Sequence, residues 1–263
     1  MTMIKKIRDK FNDFLPTLYS YRRGKKLNDL SDFNFIYEYN FEELANPIIS
    51  VQKSFLSTRI LEKKIQNVGR FSGAKTFKQA DYLTSLLYDE NGDKKEFKKF
   101  KEIALETFET YNVSWLEAER NNAIANIEQA KIFNENKELG TEYLQYIAVG
   151  DELTRDDHEA LNGLILSIND PLWDTITPPN GYNCRCSVVG VSRFEADFKL
   201  SSKGEIERKT KEINEFFKKN PDFARNPAKT DWVFKEEGRG KHSYFDIPAE
   251  YKESFIKNNF NLK

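Results

Sequence analysis

With 263 residues, 39% of them hydrophobic and 32% charged, the chain is long enough to bury a sizeable core as one large domain or two smaller ones. A net charge of −1 argues against a nucleic-acid binder driven by overall charge, and no apolar run approaches the roughly 20 residues that span a bilayer. The two cysteines lie two positions apart, which makes no disulfide framework and points to a reducing compartment during folding.

The start, Met1-Thr2-Met3-Ile4-Lys5-Lys6, has a positive flank with no apolar stretch behind it, so no secretory signal is expected. Residues 1–30 are locally basic: Lys5, Lys6, Arg8, Lys10, Arg22, Arg23, Lys25 and Lys26 stand against Asp9, Asp13 and Asp29, with Phe11, Phe14, Tyr19 and Tyr21 interleaved. Such an arm could touch DNA or an acidic partner, with Lys5, Lys6, Arg22 and Arg23 as the contacts. The plainer alternative is a solvated amphipathic helix or tail.

Apolar residues at three-to-four spacing predict helices over about Phe41–Ser57, Phe77–Tyr88 and Lys94–Tyr111, the last two separated by a turn at Glu90–Asp93. The clearest helix runs from Trp115 to Phe133, where Leu116, Ala123, Ile127 and Ala130 recur on one side. Tyr143–Val149 reads as a strand, Lys203–Lys219 as a helix halted by Pro221, and Trp232–Lys235 as a short strand. Tyr244, Phe245, Pro248 and Tyr251 give the tail enough ring surface to dock. The pattern predicts an α+β protein: a helical N-terminal region, residues 1–112, followed by a compact C-terminal domain, residues 113–263, of a few strands packed on helices.

Rare residue types concentrate in 151–188. Thr154 followed by Asp157 resembles a capping box opening a short helix, Gly163 is a plausible stop, and His158 lies in the first turns. Downstream, Pro178-Pro179-Asn180-Gly181 reads as a rigid turn presenting a strand, Cys184-Arg185-Cys186-Ser187-Val188-Val189, whose cysteines share one face with Arg185 on the other.

The ordered set Asp151, Thr154-Arg155, His158, Gly163, Trp173, Pro178-Pro179, Asn183 and Cys184-Arg185-Cys186 resembles the signature of the phage Mu F-like family of minor head, or head-morphogenesis, proteins. The likeness is dense over about forty residues. It continues more thinly to the helix Trp115–Arg120, similar to the Glu-bearing helix that precedes the signature, with Glu119 in that role, and to Phe223-Ala224-Arg225-Asn226-Pro227, similar to an F-x-x-N-P segment. The resemblance implies a minor head protein of a tailed phage or prophage, in the virion at the head interior or portal vertex and in the host cytoplasm during assembly. Its implied partners are the portal protein and the inner capsid surface, with packaged DNA and roles in packaging or ejection as extensions, and no membrane. Divergent N-terminal regions in that family place partner contacts in the helical first part.

Asp151, His158, Cys184 and Cys186 suit one structural zinc by residue type. The spacing is tight, because alternate strand residues lie about 6.6 Å apart at Cα whereas two thiolates on one zinc sit about 3.8 Å apart. The alternative is that the cysteines are small packing residues while His158 hydrogen-bonds Asp151 or Arg185. Arg155 and Arg185 are expected to form ion pairs with Asp156, Asp170 or Asp174, Trp173 and Tyr182 to pack, and Glu119 either to bridge Arg120 or to serve as a buried partner of the motif. No catalytic residue is expected: no Gly-rich phosphate loop or paired-carboxylate motif is present, and nothing resembling an oxyanion hole surrounds the cysteines. A metal- or cysteine-dependent enzyme, or a toxin or delivery module carrying the same domain, is the competing class.

Overall fold

The computed structural model describes residues 2–22, 31–50, 56–195 and 198–248. The helices are α1 (Met3–Tyr19), α2 (Asn34–Ile49), α3 (Thr58–Ser85), α4 (Phe97–Glu109), α5 (Trp115–Glu138), α6 (Asp156–Glu159), α7 (Trp173–Ile176) and α8 (Lys203–Lys219), with strands β1 (Tyr143–Ile147), β2 (Ile165–Ser167) and β3 (Ser187–Val191). The fold is α+β, as expected. Two compact units emerge: Met1–Ala45, Val68–Arg120 and Ser243–Lys263 form the first, and Asn46–Asn67 with Asn121–His242 the second.

In the first unit, α1 is an amphipathic helix that buries Ile7, Phe11, Leu15 and Leu18. Phe11 stacks on Phe108 at 4.9 Å, and Arg8 donates to the Glu109 carboxylate at 2.6 and 2.8 Å. Over Met3–Tyr19 the basic aromatic arm is therefore a packed helix that leaves Phe14 and Tyr19 half-buried: Phe14 meets Phe33 edge-on at 5.2 Å, and Tyr19 meets Phe97 at 5.1 Å. Lys5, Lys6 and Arg22 are exposed, and Arg23 lies outside the described residues. Between α4 and α5 the chain makes a π-helical turn, Thr110–Ser114, that buries Asn112. Asn112 donates to Asn40 at 3.2 Å and Asn40 donates to Thr76 at 3.3 Å, so buried polar groups satisfy one another.

Glu119 does not bridge its neighbour Arg120. Adjacent helix positions face different directions; Arg120 approaches Glu43 at 3.3 Å, and Glu119 is buried against Lys75 of α3. Burial lowers the Lys75 pKa and raises that of Glu119, the ion pair opposing both shifts. The tail docks in this unit too: Tyr244 and Phe245 are buried, with ring centroids 5.3 and 6.0 Å from Phe71, while Pro248 is exposed and Tyr251 lies outside the described residues.

The predicted helix over Phe41–Ser57 is shifted: α2 starts at Asn34 and ends at Ile49, and 51–55 lie outside the described residues. The Phe77–Tyr88 prediction covers only the last part of a 28-residue helix, α3. Its earlier turns carry Lys64, Asn67 and Lys75, all buried, and buried polar positions mask an apolar stripe.

In the second unit a three-stranded antiparallel sheet has the order β2-β1-β3, with Leu144 opposite Leu166 and Tyr146 opposite Val188. Leu144 and Tyr146 face the core, in keeping with the period of two. Helix α8 matches its predicted span; the Ser202 hydroxyl caps it by accepting from the Glu205 N–H at 3.3 Å. Among the described residues no helix is long and apolar enough to cross a membrane.

The strand expected at Trp232–Lys235 is absent. A side chain takes the partner strand's place: Asn67 Oδ1 accepts from the Val233 and Phe234 N–H groups at 2.7 and 2.8 Å, and its Nδ2 donates to the Phe234 carbonyl at 2.7 Å. The backbone polar groups are met without a ladder.

Candidate functional site

The site is built in the second unit around β1, α6 and the segment from Pro178 to β3. Gln129 of α5 fixes the start of β3: its Oε1 accepts from the Val188 N–H at 3.3 Å and its Nε2 donates to Ser187 Oγ at 3.1 Å. The cysteines lie just before β3 rather than within it. The expected alternation holds nonetheless, with Cys184 and Cys186 buried and Arg185 exposed. The Pro178–Pro179 peptide is cis, and Asn183 takes a left-handed conformation (φ 57°), its side-chain oxygen accepting from Asn121 at 3.2 Å. Gly181 has a φ of 153°, which side-chain-bearing residues rarely adopt, and a Cβ there would also stand 2.4 Å from the mobile end of Arg155.

Thr154 is not a helix cap. Helix α6 begins at Asp156 and has no side-chain cap; the Thr154 hydroxyl donates instead to Asp151 Oδ1 at 3.0 Å, inside a turn closed by Thr154 N–H donating to the Asp151 carbonyl. The acceptor side of this hydroxyl is taken by the Asp151 N–H at 3.1 Å, so the side chain serves the turn and not the helix. Gly163 does end the following turns, in a left-handed conformation (φ 76°).

Three of the four expected ligands converge. His158 Nδ1 lies 3.3 Å from Cys186 Sγ and 3.6 Å from Cys184 Sγ, and all three side chains are buried. Asp151 does not join them. It is exposed and holds Arg185 by two contacts of 2.6 Å, because a strand-like alternation that buries both thiols sends Arg185 outward to the nearest carboxylate. Those bonds hold the Asp151 carboxyl well below the usual carboxylate range. The expected pairs of Arg155 and Arg185 with Asp156, Asp170 or Asp174 are likewise not formed. Asp174 pairs with Lys229, Asp170 accepts from the Leu172 N–H at 2.8 Å, and Arg155 turns to the site.

Arg155 donates to the Tyr182 carbonyl at 3.2 Å and to His158 Nε2 at 2.7 Å, and its Nε lies 3.7 Å from Asp157. A guanidinium can only donate, so in this arrangement Nε2 is the acceptor and the proton sits on Nδ1, facing the sulfurs. The Asn180 carbonyl, 3.4 Å from Nε2, offers the alternative: an Nε2–H would donate there and leave the Nδ1 lone pair toward the thiols. Cys186 beside it lowers the Cys184 pKa against the effect of burial, with His158 adding to the lowering, and the same proximity together with burial drives Cys186 upward. A narrow crevice of about 20 Å³ lined by Thr154, Arg155, Asn183 and Arg185 reaches His158 and both cysteines, room for one water-sized group.

Two supporting residues escaped the sequence reading. Tyr146, fully buried on β1, donates its hydroxyl to Asn180 Oδ1 at 2.9 Å, and burial followed by the nearby thiols pushes its phenol well above the usual range. The signal for Tyr146 was present in its inward position on a predicted strand, whereas nothing in the sequence sets Asn180 apart from a turn residue. Trp173 packs as expected, fully buried with its Nε1–H donating to the Ser167 carbonyl at 2.9 Å, and Tyr182 packs edge-on against Phe223 at 5.3 Å.

Residues 62–189 match the family model described as "Phage Mu protein F like protein". Over this span the chain is similar to the Mu F-like family. The matched span takes in the whole set from Asp151 to Cys186 and the Trp115 helix, begins upstream of that helix, and stops short of Phe223–Pro227. Among known proteins, the chain is 42% identical over 69 residues to the "Mu-like prophage FluMu F protein" of Haemophilus influenzae, covering 25% of this chain and 17% of that one. It is 46% identical over 50 residues to the "Putative capsid assembly protein F" of Escherichia phage Mu, covering 19% of this chain and 11% of that one. The chain thus spans a small part of the length of these Mu F-like relatives. No solved structure matches it.

Proposed function

We propose that this protein is a minor head protein that acts in capsid assembly of a tailed phage or prophage, in few copies at the portal vertex. The observation that carries this reading is the Mu F-like match over 62–189, together with a relative named for capsid assembly. The geometry supports a structural use of the family's motif, because its polar side chains are spent on one another: Asp151 on Arg185 and Thr154, Arg155 on the Tyr182 carbonyl, Asn183 on Asn121. The portal protein and inner capsid surface are the proposed partners, and the exposed Lys5, Lys6 and Arg22 extend the proposal to packaged DNA and to a part in packaging or ejection. The protein would reside in the virion and, during assembly, in the host cytoplasm.

Disrupting the gene in the phage or prophage that carries it tests this reading. Fewer or misshapen heads by electron microscopy, restored by the gene supplied in trans, are expected; normal heads of full infectivity overturn it. Removing residues 1–100 is a poor substitute, since the cut deletes Lys64 and Asn67 from the core of the second unit.

A further inference from the structure

We propose that His158, Cys184 and Cys186 form a mononuclear zinc-type metal site with a water molecule in the fourth position. A tetrahedral zinc bound at ~2.3 Å to sulfur and ~2.0–2.1 Å to nitrogen has sulfur–nitrogen edges of about 3.6 Å. The two edges here, 3.6 and 3.3 Å, converge on a single ring nitrogen, Nδ1. One N–H needs only one acceptor, so a hydrogen bond alone gives no reason for both sulfurs to close on the same atom. The three ligands are buried, and two thiolates with a neutral imidazole leave a zinc ion without net charge, which burial tolerates. Asp151, committed to Arg185, stays out of the ligand set.

The surroundings complete the site. A metal-bound imidazole ordinarily donates its other N–H to a carbonyl or carboxylate, and the Asn180 carbonyl stands 3.4 Å from Nε2 for that purpose. Tyr146 fixes Asn180 by its hydrogen bond to the side-chain amide. Arg155 is the competitor: its contact with Nε2 is incompatible with an Nε2–H, so metal binding must turn the guanidinium away, toward Asp157 or the Tyr182 carbonyl already beside it. The crevice leading to the thiols holds about one water, enough for a fourth ligand and too little for a substrate. The metal would then clamp α6 to the segment leading into β3.

The test uses the full chain, reduced, stripped by chelator and reloaded with Zn²⁺ or Co²⁺. About one zinc per chain is expected, with a zinc-edge X-ray absorption spectrum showing two sulfur and two nitrogen or oxygen neighbours. Cobalt should give thiolate charge-transfer and tetrahedral ligand-field bands. His158→Ala and Cys186→Ser should weaken zinc binding by more than the ~10–100-fold that loss of a supporting group costs. Asp151→Asn should leave it unchanged, and Arg155→Gln should bind at least as tightly as the parent. The absorption spectrum of the parent protein keeps the proposal decidable if the ligand variants fail to fold. Less than about one tenth of a zinc per reduced chain after reloading, a zinc spectrum without sulfur neighbours, or undiminished zinc in a Cys184→Ser/Cys186→Ser chain overturns it.

Discussion

Asp151 and Arg185 form a two-pronged ion pair, each carboxylate oxygen accepting from one guanidinium nitrogen at 2.6 Å. The pair is exposed, so its consequence lies in pH dependence more than in magnitude. Arg185 lowers the folded pKa of Asp151, and the stability it adds is therefore complete above the ordinary carboxylate value near ~4 and lost as pH falls below it. Melting of the parent and of Asp151→Asn should differ at neutral pH, and the difference should begin to shrink only below about pH 4, continuing as pH falls toward the lowered folded value. A difference independent of pH would contradict this assignment.

Asn67 should be among the least replaceable residues of the second unit. Asn67→Leu preserves size but strands the Val233 and Phe234 N–H groups, at a cost of about 1–3 kcal/mol for each one left unpaired. Asn67→Asp keeps the acceptor but sets a buried carboxylate oxygen against the Phe234 carbonyl and the Glu236 carboxylate that Nδ2 now serves, so denaturant unfolding should rank the parent above both variants. An Asn67→Leu chain as stable as the parent would show that the segment finds other partners.

Lys64 of α3 is fully buried, donating to Asn126 Oδ1 at 2.8 Å, and burial pushes its pKa down to about 7. Between pH 7 and the unfolded value near ~10.5, the unfolded chain holds a proton that the folded chain has released. Stability then rises with pH, by at most ~1.4 kcal/mol per unit from this group. Any advantage of Lys64→Met over the parent in urea unfolding should shrink from pH 7 to pH 9.5, and an advantage that grows would reverse the sign.

Much of the site was readable because its residues are rare and lie within forty positions. The inward pairing of the cysteines followed from the period of two, and His158 from its place on a short helix. The fate of Asp151 was not readable, since type alone cannot tell whether a carboxylate serves a metal or the arginine between two buried thiols. In the fold, α8 was legible in its span and in the stop at Pro221, and the structure adds the Ser202 cap. Helix α3 was only partly legible, as Lys64, Asn67 and Lys75 occupy core positions that a hydrophobic pattern reads as surface. The false strand at Trp232–Lys235 arose because an Asn67 side chain more than 160 residues away supplies the hydrogen bonds that a neighbouring strand would.

Binding to packaged DNA makes a separate prediction. Lys5, Lys6 and Arg22 are exposed, while Phe11 and Tyr21 are buried and Phe14 and Tyr19 half-buried against other rings, so binding should be mainly electrostatic. Affinity for duplex DNA measured by fluorescence anisotropy should fall steeply with salt, and the Lys5→Ala/Lys6→Ala/Arg22→Ala chain should show a slope shallower by about 0.9 for each phosphate it no longer neutralises. Undetectable binding at low salt, or a slope unchanged by the triple substitution, would leave the arm without a role in DNA binding.

Head assembly itself is tested most directly by quantitative mass spectrometry of purified procapsids and virions from the phage or prophage that encodes the chain. The protein should be present in both or in procapsids alone, at a few copies per portal and far below the major capsid protein. Its absence from both particles, with the chain abundant in the producing cell, would contradict the minor head protein reading.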